Sequence, residues 1–189
     1  MAIERCLTMN SYTYAVNAAC TESEYGSMLD WDTGLVTNMD EAFKDMIKFD
    51  GDISSWITSS VTSMKNMFQN ASVFNQNIGN WDVSGVQNVY GMFSNAVLFN
   101  EDIREWDTQS ITTMKFMFQH ASSFNKDIGE WSTSLVTDMR YMFQYASAFS
   151  YDISGWKGTA ASSVQTHMFT GANAFNEKWN CTIAGHVNS

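Results

Sequence analysis

Three histidines, His120, His167 and His186, are the only imidazoles in the chain, and carboxylates outnumber cations, with Asp+Glu 20 against Lys+Arg 10. The histidines match no metal spacing such as H-E-x-x-H. Neither a G-x-S-x-G nucleophile turn nor a G-x-x-x-x-G-K-[ST] phosphate loop is present. One set of carboxylates does recur at fixed spacing: Asp52, Asn77, Asp102, Asp127 and Asp152. Stacked in register these charges would repel, so something must compensate. A calcium ion between Asp102, Asp127 and Asp152 would be one answer, since hard cations take carboxylate oxygens. Hydrogen bonds from each carboxylate to the amides of its own turn are the other, and they also explain why Asn77 can take a place in the column. The second is the expectation. No catalytic residue, metal site or cofactor is assigned, and the chain is read as a non-enzyme; an enzyme would need a deep pocket that the sequence does not announce. Cys6 and Cys20 lie close enough in sequence for a disulfide, leaving Cys181 over, but three reduced thiols fit equally well.

What would hold such columns is an internal repeat. Trp31, Trp56, Trp81, Trp106, Trp131 and Trp156 recur every 25 positions, as their residue numbers show. Phe43, Phe68, Phe93, Phe118 and Phe143 keep the same phase, as do Phe49, Phe74, Phe99, Phe124 and Phe149, and Ile53, Ile78, Ile103, Ile128 and Ile153. Met, Val and Ala columns accompany them. Within one unit Met64, Met67, Phe68 and Ala71 fall at i, i+3, i+4 and i+7, which predicts a short helix, with Thr62 or Ser63 as its cap and Thr112, Thr113 and Thr137 repeating the cap later. A short extended segment around Val86 precedes the equivalent stretch of the next unit. One such unit cannot bury its apolar face, but stacked units can.

The expected architecture is therefore an α/β right-handed solenoid of about six 25-residue coils, each a short strand plus a short helix. Residues 1–30 are expected to cap its first coil, 31–175 to form the repeat and 176–189 to cap the last. The interval Phe143 to Phe169 is 26 positions by subtraction, which places one inserted residue within Lys157 to His167. Asn75, Asn100, Asn125 and Asn176, with Ser150 in the fourth place, predict a polar ladder that satisfies loop backbone between coils. Asn70-Ala71-Ser72 and Asn180-Cys181-Thr182 match the glycosylation acceptor pattern, the first simply as part of the repeat.

A net charge of -10 argues against nucleic acid, whose phosphates would be repelled. No apolar run is long enough for a membrane span, and the first twenty residues lack the basic start and apolar run of a secretory signal. Binding information is left to the positions that vary between units. Phe116 and Tyr141 follow Asn66 and Gly91 in one column; His120 and Tyr145 follow Asn70 and Asn95 in the next. With Tyr151 nearby, they gather aromatic side chains on one side of the later coils, where exposed tyrosines commonly mark a partner surface. Packing against a terminal cap is the competing account. Thr62, Thr112 and Thr137, beside Thr58, Thr108 and Thr133, form a second candidate, a hydroxylated strand face that could meet a glycan, although strands favour Thr in any case.

The segments VTSMKNMFQNASVFNQNIGNWDVSGVQNV, ITTMKFMFQHASSFNKDIGEW and VTDMRYMFQYASAFSYDISGW resemble the BspA-like surface-protein repeat, of the short type found in mycoplasma surface lipoproteins. The resemblance runs from about Trp31 to Phe175. It implies a leucine-rich-repeat-like solenoid and an extracellular or cell-surface adhesive role, with no catalytic residue to carry across. The functional expectation is a protein- or glycan-recognition module; a scaffolding subunit that docks through the aromatic side of the C-terminal coils is the alternative.

Overall fold

In the computed structural model, residues 28–156 and 166–180 are described. Successive 25-residue units lie directly one upon another. Parallel β-bridges join Asn38 to Ser63, Ser63 to Asn88, Asn88 to Thr113 and Thr113 to Asp138, one residue from each unit. These are single bridges; among the described residues no longer strand forms.

The backbone next to each bridge explains why. In the segment expected to be helical, alternate amides leave the coil: the N–H groups of Met64, Asn66, Phe68 and Asn70 donate to the carbonyls of Asn88, Tyr90, Met92 and Ser94 in the following coil. The amides between them close tight turns at home, Met67 on Met64, Gln69 on Asn66 and Ala71 on Phe68. An α-helix would keep every amide inside the segment. Here Asn66 and Asn70 stand in the left-handed region, at φ 53° and 62°, and turn alternate N–H groups towards the neighbour. The expected helix over Met64–Ala71 is thus a run of turns, and the apolar spacing arises because those turns aim Met64, Met67, Phe68 and Ala71 inward as a helix would. The caps lose their helix with it: Thr62, Thr112 and Thr137 donate both N–H and hydroxyl to the carbonyls of Thr37, Gln87 and Thr112 in the preceding coil.

Aromatic packing fills the interior. Within each coil two Phe rings stack, as Phe68 on Phe74 at 3.9 Å and Phe118 on Phe124 at 3.9 Å, and the same rings stack on the next coil, Phe68 on Phe93 at 5.6 Å and Phe93 on Phe118 at 5.6 Å. The Trp column closes one edge of this core while satisfying its own polar atom. The Nε1–H groups of Trp81, Trp106, Trp131 and Trp156 donate to the carbonyls of Ile53, Ile78, Ile103 and Ile128, and that of Trp56 to Met28 in the 3-10 turn Met28–Asp30.

The polar ladder begins one step earlier than the Asn column suggests. Asp50 accepts from Asn75 N–H at 2.9 Å, Asn75 from Asn100 at 2.7 Å, Asn100 from Asn125 at 2.9 Å and Asn125 from Ser150 at 3.1 Å. Asn176 leaves it. It lies in helix α1, Asn173–Trp179, where its N–H bonds to the Ala172 carbonyl and its side chain to that of Phe169. Between Tyr141, Phe143 and Tyr145 and their acceptors Thr166, Met168 and Thr170 the sequence step is 25 by subtraction, against 24 from Phe118 to Met142. Trp156 still keeps the 28-residue step to Ile128, so the inserted residue falls between Trp156 and Thr166. Cys6, Cys20, Cys181 and His186 lie outside the described residues.

Candidate functional site

The two left-handed positions of each coil form two columns along the stack. One holds Glu41, Asn66, Gly91, Phe116, Tyr141 and His167; the other Asp45, Asn70, Asn95, His120, Tyr145 and Gly171, and φ lies between 52° and 73° at every one. These are the variable positions that the sequence places on the outer face of a helix. They sit on turns, with Asn66 and Gly91 buried and the others at least partly exposed. For an L-residue the left-handed conformation costs about 1–2 kcal/mol, least for Gly, Asn and Asp. The first three coils meet that preference with Asn, Asp and Gly at five of six places. The next coils put Phe116, His120, Tyr141 and Tyr145 there.

These aromatic side chains stack along the column. Phe116 lies on Tyr141 at 5.0 Å, Tyr141 on His167 at 5.3 Å, and His120 on Tyr145 at 4.7 Å, all near-parallel. Stacking leaves Phe116 and Tyr141 half-buried while His120 and Tyr145 stay exposed. Gly171 follows from it as well: a Cβ there would come within 2.3 Å of the Tyr145 ring. Tyr151 is exposed but stands apart, in the column of Gln76, Glu101 and Lys126, and among the described residues no ring contact joins it to the others. The structure therefore makes two stacks, Phe116–Tyr141–His167 and His120–Tyr145, and leaves Tyr151 out of both.

A neighbouring column completes the patch. Asp40, Lys65, Tyr90, Lys115 and Arg140 keep the 25-residue phase one residue before the left-handed column. The Lys65 and Lys115 ammonium groups lie 5.8 Å and 5.9 Å from the Tyr90 ring centre, Lys115 lies 4.8 Å from that of Phe116, and the Tyr90 ring meets Phe116 edge-on at 5.4 Å. Arg140 grips Asp138, Nη2 to Oδ2 at 2.6 Å and Nε to Oδ1 at 2.9 Å. Burial pushes the Asp138 carboxyl up, but the Arg140 side chain and N–H outweigh it and hold the group below its ordinary value. Lys65, Tyr90, Lys115 and Arg140 are not among the positions that departures from the repeat single out; their common phase is the sequence signal for them.

At the first coil the same face is acidic. Asp40 accepts from Ser63 Oγ at 2.5 Å and Lys65 N–H at 2.8 Å, and Asp45 from Asn70 Nδ2 at 2.5 Å. Glu41 pairs with Lys44 at 3.1 Å and accepts from Asn66, and these two hydrogen bonds, Lys44 first, hold its carboxyl below the usual range.

The Asp column beside the Ile column is spent on its own turns. Asp52 Oδ1 accepts from Ser54 N–H at 3.0 Å, Asn77 from Gly79 at 3.0 Å, Asp102 from Arg104 at 3.2 Å, Asp127 from Gly129 at 3.1 Å and Asp152 from Ser154 at 2.8 Å. Among the described residues no three His, Cys, Asp or Glu side chains are grouped so that they could hold a metal ion. On the other candidate face, Thr58 and Thr108 are buried, with hydroxyls on the Asp82 and Ser132 carbonyls, and Thr133 is buried in the same column. Thr62, Thr112 and Thr137 are exposed, yet their hydroxyl protons are taken by the preceding coil, so they meet a ligand as acceptors only. Among the described residues no helix is long and apolar enough to cross a membrane.

A family model described as "Mycoplasma protein of unknown function, DUF285" matches residues 10–108 and again 98–186. No curated protein and no solved structure matches the chain.

Proposed function

We propose, from the premise that the chain belongs to the DUF285 family of Mycoplasma proteins, that it is a non-enzymatic recognition module whose contact surface is the aromatic part of the two left-handed columns. In this reading the stack is a right-handed, leucine-rich-repeat-like solenoid of the BspA-like kind, working outside the cell or at its surface in adhesion to a protein or glycan. The supporting observation is the residue choice at φ near 60°. Phe116, Tyr141 and Tyr145 occupy a conformation that Asn or Gly would adopt at less cost, and backbone strain held at an outward position is a mark of function. Burial does not account for Tyr145, which is 47% exposed.

The test compares wild type with Phe116→Asn/Tyr141→Asn/Tyr145→Asn for retention on whole cells and in pull-downs from native-source extract. The expected result is at least a tenfold loss of retention with the thermal midpoint nearly unchanged. A large fall in the midpoint would instead make the rings part of the core. The scaffold alternative predicts a single stoichiometric protein partner; adhesion predicts weak, multivalent binding to many surfaces.

A further inference from the structure

We propose that the ligand of this face is a polysaccharide bearing carboxylate or sulfate groups, held by Lys65, Lys115 and Arg140 beside the Tyr90, Phe116 and Tyr141 rings; the proposal rests on the recognition reading above. Neutral sugars are commonly bound on a free aromatic face, and here the ring faces are taken. Tyr141 lies between Phe116 and His167, and Phe116 stacks on Tyr141 with the Lys115 ammonium 4.8 Å from its ring centre. A ring covered on both faces offers its edge, which carries the positive end of the aromatic quadrupole. The neighbouring column offers the ammonium groups of Lys65 and Lys115, with the Arg140 guanidinium beside them already paired to Asp138. Edges and cations together suit an acceptor-rich, anionic ligand.

Charge placement points the same way. The chain as a whole carries -10. Across the three columns of this face, coils two to six hold Lys65, Lys115 and Arg140 and no carboxylate; Asp138 stands two residues before Arg140 and is paired with it, and Asp40 of the first coil accepts the Lys65 N–H. The acids of the face, Asp40, Glu41 and Asp45, are confined to the first coil, where Ser63, Lys44 and Asn70 engage them. An anionic chain would thus find a favourable track on a molecule whose net charge repels it.

The track is also repetitive, and its backbone is closed. The amides of Asn66, Gly91, Phe116 and Tyr141 already donate to Tyr90, Lys115, Arg140 and Thr166, so an acidic peptide cannot add to this face as a strand. Recognition must run through side chains that recur at the coil rise of about 4.8 Å. Lys65 and Lys115 are two coils apart, about 10 Å, which is the length of a disaccharide repeat. A glycan charged on every second sugar meets these cations in register.

Surface plasmon resonance on the full chain tests this with four probes: hyaluronan, which carries carboxylates only; heparin, which also carries sulfates; neutral dextran; and poly-glutamate. Wild type is expected to bind hyaluronan or heparin, with affinity that falls as salt rises, and the preferred one identifies the anion. Lys65→Gln/Lys115→Gln should weaken that binding at least tenfold at an unchanged thermal midpoint. Equal binding of dextran, tighter binding of poly-glutamate, no binding of any probe, or full binding by the lysine variant would each overturn the proposal. The whole-cell assay separates this failure from that of the recognition reading. If the Asn triple variant loses retention while the lysine variant keeps it, the anionic glycan is wrong and the recognition surface stands; if neither loses retention, both are wrong.

Discussion

The second coil, beginning at Trp56, and the fifth, beginning at Trp131, share one backbone and one core. Their inner Phe pairs stack at 3.9 Å and 4.0 Å, and their left-handed residues have φ of 53° and 62° in one, 62° and 59° in the other. Yet those residues are Asn66 and Asn70 in the second coil and Tyr141 and Tyr145 in the fifth. The conformation does not follow the side chain. It is imposed by alternate amides that must reach the next coil, and by apolar columns that fix which residues face inward. A stack that dictates its own backbone leaves two outward positions per coil free to vary, at the expense of a modest strain wherever the residue is bulky.

If the inner columns impose the backbone, breaking them should be equally damaging in both halves. Phe68→Ala and Phe143→Ala are each expected to lose about 3–5 kcal/mol, since both rings are fully buried. Urea denaturation measures this, and a much smaller loss for Phe143 would mean that the later coils are held by something other than the shared core.

Gly91 is the sharpest probe of the early half. It is buried at φ 59°, and an added Cβ would sit 2.4 Å from Asn66 Oδ1 in the coil below. Gly91→Ala is expected to cost about 2 kcal/mol, part from the left-handed conformation and part from displacing the Asn66 amide. Adding Asn66→Gly removes the second part. A double-mutant cycle with no coupling would show that the amide simply moves aside.

The columns were legible in the sequence to differing depth, for physical reasons. The 25-residue phase, the inward Trp, Phe and Ile sets, the inserted residue and the ladder from Asn75 to Ser150 all follow from side-chain type, because burial leaves few substitutes; Asp50 at its start and the departure of Asn176 do not. The spacing of Met64, Met67, Phe68 and Ala71 does not distinguish a helix from this structure, because turns alternating between right- and left-handed residues aim side chains inward with the same 3-and-4 spacing as an α-helix. A clue lay in Asn66 and Asn70, then Gly91 and Asn95, each pair four residues apart in residues that tolerate positive φ. Aromatic residues hide that clue in the later coils. Of the contact face, the aromatic members were visible as departures from the repeat. Lys65, Lys115 and Arg140 were not, since solvated cations on a repeat look ordinary until a structure sets rings beside them.

Exchanging residues between the halves should be asymmetric. Asn70→Phe puts an aromatic at φ 62° between Asp45 and Asn95, with no ring to stack on, and is expected to cost about 1–2 kcal/mol. Tyr145→Asn relieves a similar strain but gives up the stack on His120, worth about 0.5–1.5 kcal/mol, so it should change stability by less than about 1 kcal/mol. Equal losses for the two substitutions, read from urea midpoints, would mean that the aromatic column is structural.

The smallest expected difference lies at Asp138, whose counterparts Asn38, Ser63, Asn88 and Thr113 are all uncharged. Asn88 Oδ1 accepts the Tyr90 N–H as Asp138 Oδ1 accepts that of Arg140, so Asp138→Asn keeps the turn and removes only the ion pair. A partly exposed pair of this kind contributes about 0–1 kcal/mol. Because the folded carboxyl is held below its ordinary value, the contribution is present above the unfolded pKa of about 3.9 and disappears as pH falls through the folded one. At pH 7 the variant should therefore be slightly less stable than wild type, and at pH 3 the gap should narrow. The carboxyls of Asp52, Asp82, Asp102 and Asp152 are also lowered, by hydrogen bonds within their own turns, and will weaken both proteins alike in acid. Only the difference between wild type and variant reports on Asp138. A gap that widened towards pH 3 would show that burial, rather than Arg140, governs this carboxyl.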